Sequence, residues 1–400
     1  MKILFTSPIL EHPAVGGPQL RIENSIKALS RLGDLYIVSR NPKSAMGGDH
    51  AEVFYKSFCK DFFYAPSVSN LSPNRYIRKI QRFYKKTFAD DSQYFLHLIE
   101  KLGIDVVWFG YGNISFDLIK KVKSARPNLK VICDTDSVWS RFLLRELPYE
   151  DDPKRRAKIL QQGHAKEVEE AEWVNLCDIT TAVSEIDAEY YRSLAQDKEK
   201  VMLFSNVIDL DTYKIPPAKP HDFKTPCIYL AGSFGPKSAM DKAARWFIHD
   251  IYPMVKKEIP DIHFYIVGNG SKETLADIQD ESISILGRMP SVLPYLCHAN
   301  VSLVPLQFES GTRFKIMEAA ACRVPIVSTI LGAEGIPVEH GKNIFLTDDP
   351  INFAMHIVQL IQDQQLARRM ADDCYSLIAK HNSLDSLTTE AKEILQRLSV

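Results

Sequence analysis

Short apolar runs rich in Val and Ile recur along this chain, separated by longer stretches with apolar residues at three- and four-residue spacing. In the first half the runs are KILFTS (2–7), LYIVS (35–39), DVVWFG (105–110), KVICD (130–134), DITTAVS (178–184) and KVMLF (200–204). They show little polar alternation, the pattern of strands buried on both faces. Between them lie helical patterns such as PQLRIENSIKALSRLG (18–33), opened by Pro and closed by Gly. The alternation predicts an α/β fold with a doubly wound, Rossmann-like parallel sheet.

The rhythm breaks at SNVIDLDTYKIPPAKPHDFKTP, which carries four prolines and no apolar periodicity. This stretch, about 206–226, reads as an interdomain linker. A second set of runs follows: CIYLAGS (227–233), HFYIVGNG (263–270), SISILG (282–287), VSLVPL (301–306), VPIVST (324–329) and NIFL (343–346). Helical patterns fill the chain from about Asp349 onward, and Leu384, Leu387, Ala391, Leu395 and Leu398 form one apolar stripe. The expected organisation is two Rossmann-like domains facing a cleft. They span 1–205 and 206–382, followed by a C-terminal helix, 383–400, that packs back on the N-terminal domain.

A length of 400 residues suits two domains, and 45% hydrophobic with 25% charged residues excludes a disordered chain. Lys and Arg number 49 against 50 Asp and Glu, which gives no electrostatic reason for a nucleic-acid partner. Seven cysteines are scattered without a C-x-x-C pair, arguing against zinc or a disulfide framework and fitting a reducing compartment. No apolar stretch reaches membrane-spanning length, so a cytoplasmic protein is expected. The segment NRYIRKIQRFYKK (74–86) reads as a basic amphipathic helix. It is either a solvated helix or a contact for an anionic membrane surface or lipid-diphosphate acceptor, making peripheral attachment at the inner membrane face a further expectation.

Ligands of parallel sheets bind at the carboxyl ends of strands, where helix N-termini present free amides. Three such ends in the second half carry suitable residues: Gly232 and Ser233, then Gly268 to Gly270, then Gly311, Thr312 and Arg313. Glycine lets a phosphate approach the backbone, and Arg313 adds a donor fork matched to phosphate. Lys315 and Glu318 share a helix face, and a Glu so placed can accept both hydroxyls of a ribose. The combination reads as a nucleotide diphosphate site. Singly, each glycine is a turn and Lys315 with Glu318 a solvated pair.

The stretch ESGTRFKIMEAAACRVPIVST (309–329) resembles the donor-site motif of retaining GT-B glycosyltransferases of family 4, the group 1 transferases. AVGGPQLRI, CDITTAVSEID, SNVIDLDTY, YLAGSF, YIVGNG and SILGRMPSVLPYL follow in the family's order, so the resemblance spans nearly the whole chain. It implies sugar transfer from a UDP- or GDP-linked donor to a glycan or lipid-linked acceptor, as in surface polysaccharide or glycolipid synthesis. Retention at the anomeric carbon and no metal or other cofactor are also implied. Glu318 would bind the ribose, Gly311 to Lys315 would hold the diphosphate, and Ser310 would also lie on the donor side. Gly287, Arg288 and Met289 would lie against the base. Gly16 and Gly17 would sit under the donor phosphates across the cleft.

Two positions depart from the family pattern. Its paired-Glu motif puts the first Glu where this chain has Ser310, with Glu309 one residue earlier; a sugar-binding role passes to Glu309 or the sugar is held differently. Its Arg after the first strand of the second domain is Ser233 here, which leaves Arg313, Lys315 and Lys237 to neutralise a leaving diphosphate. A competing signal is the D-x-D of Asp134 and Asp136, whose oxygens fit Mg or Mn. Otherwise Asp134, Asp136, Ser137 and Arg141 line the acceptor side or cap a helix. A nucleotide-sugar epimerase or hydrolase, and a non-catalytic nucleotide-sugar-binding module, are the alternative functions.

Overall fold

The computed structural model describes residues 1–14, 16–67 and 90–398. The basic segment 74–86 lies outside the described residues. The chain divides into two compact units. One comprises Met1–Val138, His164–Asn206 and Leu384–Val400; the other comprises Trp139–Gly163 and Val207–Ser383.

The first unit is built on a seven-stranded sheet in the order β3-β2-β1-β4-β5-β6-β7. Its strands are β1 (Lys2–Ser7), β2 (Asp34–Ser39), β3 (Asp61–Tyr64), β4 (Val106–Gly110), β5 (Lys130–Asp134), β6 (Ile179–Ala182) and β7 (Val201–Leu203), all parallel. Six of these are the runs read from the sequence. The seventh, β3, is a four-residue edge strand, DFFY, too short to show a pattern. Central strands such as Val106–Gly110 are buried at every position, as strands covered on both faces must be. The C-terminal helix Leu384–Arg397 buries Leu387, Ala391, Ile394 and Leu395 within this unit. It meets the helix Gly17–Ser30, where Arg31 pairs with Asp385 at 2.8 Å. Glu390 accepts from the backbone and hydroxyl of Ser205 at 2.7 and 2.8 Å.

The second unit carries six parallel strands in the order β10-β9-β8-β11-β12-β13. They are β8 (Cys227–Ala231), β9 (His263–Val267), β10 (Ile283–Gly287), β11 (Val301–Val304), β12 (Ile326–Ser328) and β13 (Phe345–Leu346). All six were legible as apolar runs. One core joins the sheet to its helices through Phe247, Phe264, Ile316, Met317 and Phe353, all fully buried.

Two segments behave differently from their sequence reading. Residues 207–226 belong to the second unit and pack on it. Phe223 stacks on Tyr265 with ring centroids 4.8 Å apart, the Lys224 N–H donates to the Tyr265 hydroxyl at 2.7 Å, and His298 Nε2 bonds the Pro217 carbonyl at 2.9 Å. The prolines break periodicity without freeing the chain. Trp139–Gly163 lies between two stretches of the first unit in sequence yet clusters with the second. Tyr149 stacks on Phe308, centroids 5.5 Å apart, and Lys237 Nζ lies 4.0 Å from Glu150.

Candidate donor site

In the second unit the sheet order reverses between β8 and β11, the place where an open parallel sheet leaves a crevice. The residues after these two strands therefore adjoin. Beyond β11 the chain is pinned by Thr329, whose hydroxyl donates to the Leu306 carbonyl at 2.5 Å and accepts from Gly332 N at 2.9 Å. Gly311 turns at φ +77°, a left-handed conformation suited to glycine. Arg313 is extended, at φ −99° and ψ 106°, and the helix Phe314–Ala321 begins after it. The Arg313 side chain makes no capping hydrogen bond to this helix, whose start is the kind of place where an anion is favoured.

Three charged residues follow. Arg313 is only 5% exposed and donates through Nη2 to the Leu331 carbonyl at 3.2 Å. Lys315 Nζ sits 3.0 Å from Met240 Sδ, a weak acceptor for an ammonium. Burial pushes the Lys315 pKa down to about 8; Arg313 adds to the shift, and Glu309 and Glu318 oppose it. Burial also raises Glu318, against the Tyr213 hydroxyl, 3.4 Å from Oε1, and the charge of Lys315. The helix thus holds a cation and an acid that are both poorly solvated. A diphosphate would restore the favoured charge of Lys315, and ribose hydroxyls would give Glu318 donors.

On the other side of the reversal, glycine is required by backbone contact. The Gly232 N–H donates to Val267 O at 3.1 Å and the Gly268 N–H to Gly287 O at 2.9 Å. Gly268 sits at φ +139°, and a Cβ there would lie 1.7 Å from the Gly232 carbonyl oxygen. Gly232, Gly268 and Gly287 therefore form a side-chain-free row at the carboxyl ends of β8, β9 and β10. Gly287 N–H is held by Ser271 Oγ at 3.1 Å; Arg288 after it is exposed and Met289 half-buried. Ser233 is exposed. Lys237 is in the left-handed region at φ +61°, its N–H bonded to Asp241 at 2.8 Å. Met240 links the two halves, since it contacts Lys315 and any Cβ placed at Gly232 would meet it at 2.7 Å.

Arg145 was not foreseen. It lies in Trp139–Gly163 and forms a forked pair with Glu334 at 2.6 and 2.9 Å while donating to the Glu309 carbonyl at 2.8 Å. Glu309 is half-buried and Ser310 buried beside it; Thr312 is half-buried. Tyr213, from the proline-rich segment, was missed too. Neither residue sits in a pattern that points to its distant partner.

Other expected site residues lie in the first unit. Gly16 is extended at φ −171° and Gly17 opens the helix after β1. Asp134 is fully buried, ion-paired with Arg21 and accepting from Thr181 Oγ1 at 2.8 Å. Its carboxylate therefore lines no open surface of that unit. Asp136 accepts from Asn113 Nδ2 at 2.9 Å, and the Ser137 carbonyl accepts from the Tyr191 hydroxyl at 2.9 Å. Arg141 belongs to the second unit and is half-buried. Among the described residues no cluster of His, Cys, Asp or Glu is arranged to hold a metal ion.

Residues 225–363 match the family model described as "Glycosyl transferases group 1". The fold is that of the GT-B proteins, and residues 225–363 resemble the group 1 glycosyl transferases. The solved sucrose-phosphate synthase of Thermosynechococcus elongatus resembles it at 16% identity and TM-score 0.70, covering 100% of this chain and 99% of that one. Anabaena HepE, solved in complex with UDP-glucose, gives 13% identity and TM-score 0.64 over 100% and 99%. An uncharacterized 44.6 kDa protein in the cps region of Klebsiella pneumoniae is 28% identical over 146 residues, 34% of this chain and 37% of that protein. The match thus spans little more than a third of that relative's length. The segment matched by the group 1 model contains the glycine row, Arg313, Lys315 and Glu318.

Proposed function

We propose that this protein is a retaining glycosyltransferase that moves a hexosyl group from a UDP- or GDP-sugar to a glycan or lipid-linked acceptor in polysaccharide synthesis. The observation that carries this reading is the helix start with Arg313, Lys315 and Glu318, set at the sheet reversal inside the segment that resembles the group 1 glycosyl transferases. The UDP-glucose bound by HepE and the cps-region relative support the donor class and the setting.

In this reading the acceptor hydroxyl oxygen bonds to the anomeric carbon as the bond to the diphosphate oxygen breaks. The acceptor proton passes to the departing phosphate oxygen on the same face, so no protein base is needed. Arg313 and Lys315 stabilise the charge that grows on the diphosphate, and the dry surroundings of Lys315 strengthen that interaction. Glu318 holds the ribose, the glycine row admits the nucleotide, and Glu309 with Ser310 approaches the sugar. Cations do the work of a metal, so EDTA leaves activity intact. The basic stretch with Arg75, Arg78, Lys79, Arg82, Lys85 and Lys86 is assigned to an anionic membrane surface. No described helix is long and apolar enough to cross a membrane.

The test is a panel of UDP- and GDP-sugars offered to purified protein, with donor hydrolysis and transfer followed and the product's anomeric configuration read by NMR. Transfer with retention, insensitive to EDTA, is expected. Inversion refutes the mechanism; nucleotide-sugar binding without any turnover favours the binding-module reading, which Ser310 and Ser233 motivate.

A further inference from the structure

Cys297 and Cys322 are free cysteines whose Sγ atoms lie 3.2 Å apart, though 25 residues separate them in sequence. Both are half-buried, whereas Cys133, Cys177, Cys227 and Cys374 are buried. Each ends a helix of the second unit. Cys297 follows the short helix Leu293–Leu296, downstream of Arg288 and Met289. Cys322 closes the helix Phe314–Ala321, and its N–H donates to the Glu318 carbonyl at 3.0 Å. The sulfurs also neighbour Tyr213 and Tyr229. Burial, then the neighbouring Glu318 carboxylate, pushes both phenols up.

We propose that Cys297 and Cys322 form a reversible disulfide, and that this oxidation weakens nucleotide binding by the helix that carries Glu318. Cys297 is the entering nucleophile: its hydrogen bond with the Cys322 thiol, 3.2 Å away, lowers its pKa and raises its thiolate fraction. Cys322 is held protonated by that same bond and by burial. The oxidant is the disulfide of a small thiol, such as oxidised glutathione. The Cys297 thiolate attacks one of its sulfurs, forming a mixed disulfide and releasing the first small thiol. Cys322 then loses its proton to solvent and attacks the Cys297 sulfur, expelling the second. Two protein thiols are oxidised and one small-molecule disulfide is reduced to two thiols.

Bond formation must bring the sulfurs from 3.2 Å to about 2.05 Å, a closure of roughly 1 Å at the helix end. One turn back, Glu318 is coupled to that end through the Cys322 amide. In reacting geometries a displacement of about 1 Å can cost on the order of 100-fold in rate, so a shift of that size at Glu318 should weaken its hold on a ribose measurably. In a reducing compartment such a pair is transient rather than structural, which is the setting of a regulatory bond. The binding consequence rests on the donor-site reading of Glu318; the disulfide does not.

Full-length protein treated with oxidised glutathione, digested without reductant and analysed by mass spectrometry should yield a peptide joining Cys297 to Cys322. Dithiothreitol should abolish that peptide, and Cys297→Ser should prevent it. Absence of the linked peptide, or glutathione found only on other cysteines, overturns the proposal. Affinity for UDP and GDP, measured by calorimetry, should fall about tenfold or more on oxidation of the wild type and stay constant in Cys297→Ser. A disulfide that forms without changing affinity overturns the regulatory half. If the reduced protein binds neither nucleotide, the donor-site reading and its regulation both fall, while the mass of the linked peptide still judges the bond.

Discussion

Arg145 grips Glu334 through two parallel hydrogen bonds, at 2.6 and 2.9 Å, and the same guanidinium holds the Glu309 carbonyl at 2.8 Å. Glu334 follows the turn Leu331–Ala333, whose Leu331 carbonyl accepts from Arg313. The stretch Glu309–Arg313 is thus tied at both ends to that turn, once through Arg145 and once through Arg313.

Arg145→Ala should therefore loosen the stretch without touching the phosphate cations. Glu334 is only 19% exposed, so losing its partner should lower stability by about 1–3 kcal/mol. Donor turnover should fall more than nucleoside diphosphate affinity. Arg145→Lys keeps the charge but not the fork and should recover only part of the loss. Wild-type turnover in a folded Arg145→Ala protein would show that the tie is incidental.

Lys315 predicts a pH dependence with a definite sign. Its pKa is held at about 8 against an ordinary 10.5, so in that window the unfolded chain carries a proton the folded one has lost. Its contribution to the stability of the ligand-free protein should then rise with pH between about 8 and 10.5 and be flat below. In the proposed donor site this cation holds the diphosphate, so binding should weaken as pH climbs through 8. Calorimetric titration with UDP or GDP on either side of pH 8 checks this, and Lys315→Met should flatten the profile. A profile unaltered by that substitution would assign the titration elsewhere.

Glu318→Ala should leave the fold intact and weaken nucleotide binding by about 1.5–3 kcal/mol, the scale of charged hydrogen bonds. That is about 10- to 150-fold in affinity. The carboxylate is disfavoured by burial in the free protein, so the same substitution should not destabilise it. Equal affinity for nucleoside diphosphate in mutant and wild type would remove Glu318 from the site.

The glycine row makes a stability prediction. Gly268→Ala drives a Cβ to 1.7 Å from the Gly232 oxygen in a strained φ, and should cost about 3 kcal/mol or more. Gly341, at φ +74° with nothing within 4 Å of the place a Cβ would take, should cost only about 1–2 kcal/mol as Ala. Urea unfolding of the two variants compares them directly, and equal losses would mean that backbone φ alone matters at Gly268.

Removing residues 384–400 should expose the helix Gly17–Ser30 and the chain near Ser205. Leu387, Ala391, Ile394 and Leu395 are buried in the first unit, and Glu390 supplies the acceptor for Ser205. Hydrogen exchange should accelerate at those amides. Acceleration confined to the second unit would contradict the packing.

Much of this architecture was legible because a strand covered on both faces must be apolar throughout. Among the described residues, twelve of the thirteen strands stood out as such runs, and the short edge strand Asp61–Tyr64 escaped. The glycines at the strand ends, the helix start and the order Arg313, Lys315, Glu318 were also local, since turn geometry and helical spacing act within a few residues. What the sequence could not contain was which distant groups meet. The D-x-D of Asp134 and Asp136 offered a metal-ligand reading beside an acceptor-side or helix-capping one, yet Arg21, 113 residues earlier, pairs with Asp134 inside the first unit. The proline-rich stretch read as a tether, yet Phe223 and Tyr213 anchor it by stacking and hydrogen bonding that no local periodicity encodes. Arg145 and the pair of Cys297 with Cys322 owe their partners wholly to tertiary packing. Hydrophobic patterning specifies each element by local period, whereas ion pairs, thiol contacts and desolvated charges depend on distances through space that only the folded chain fixes.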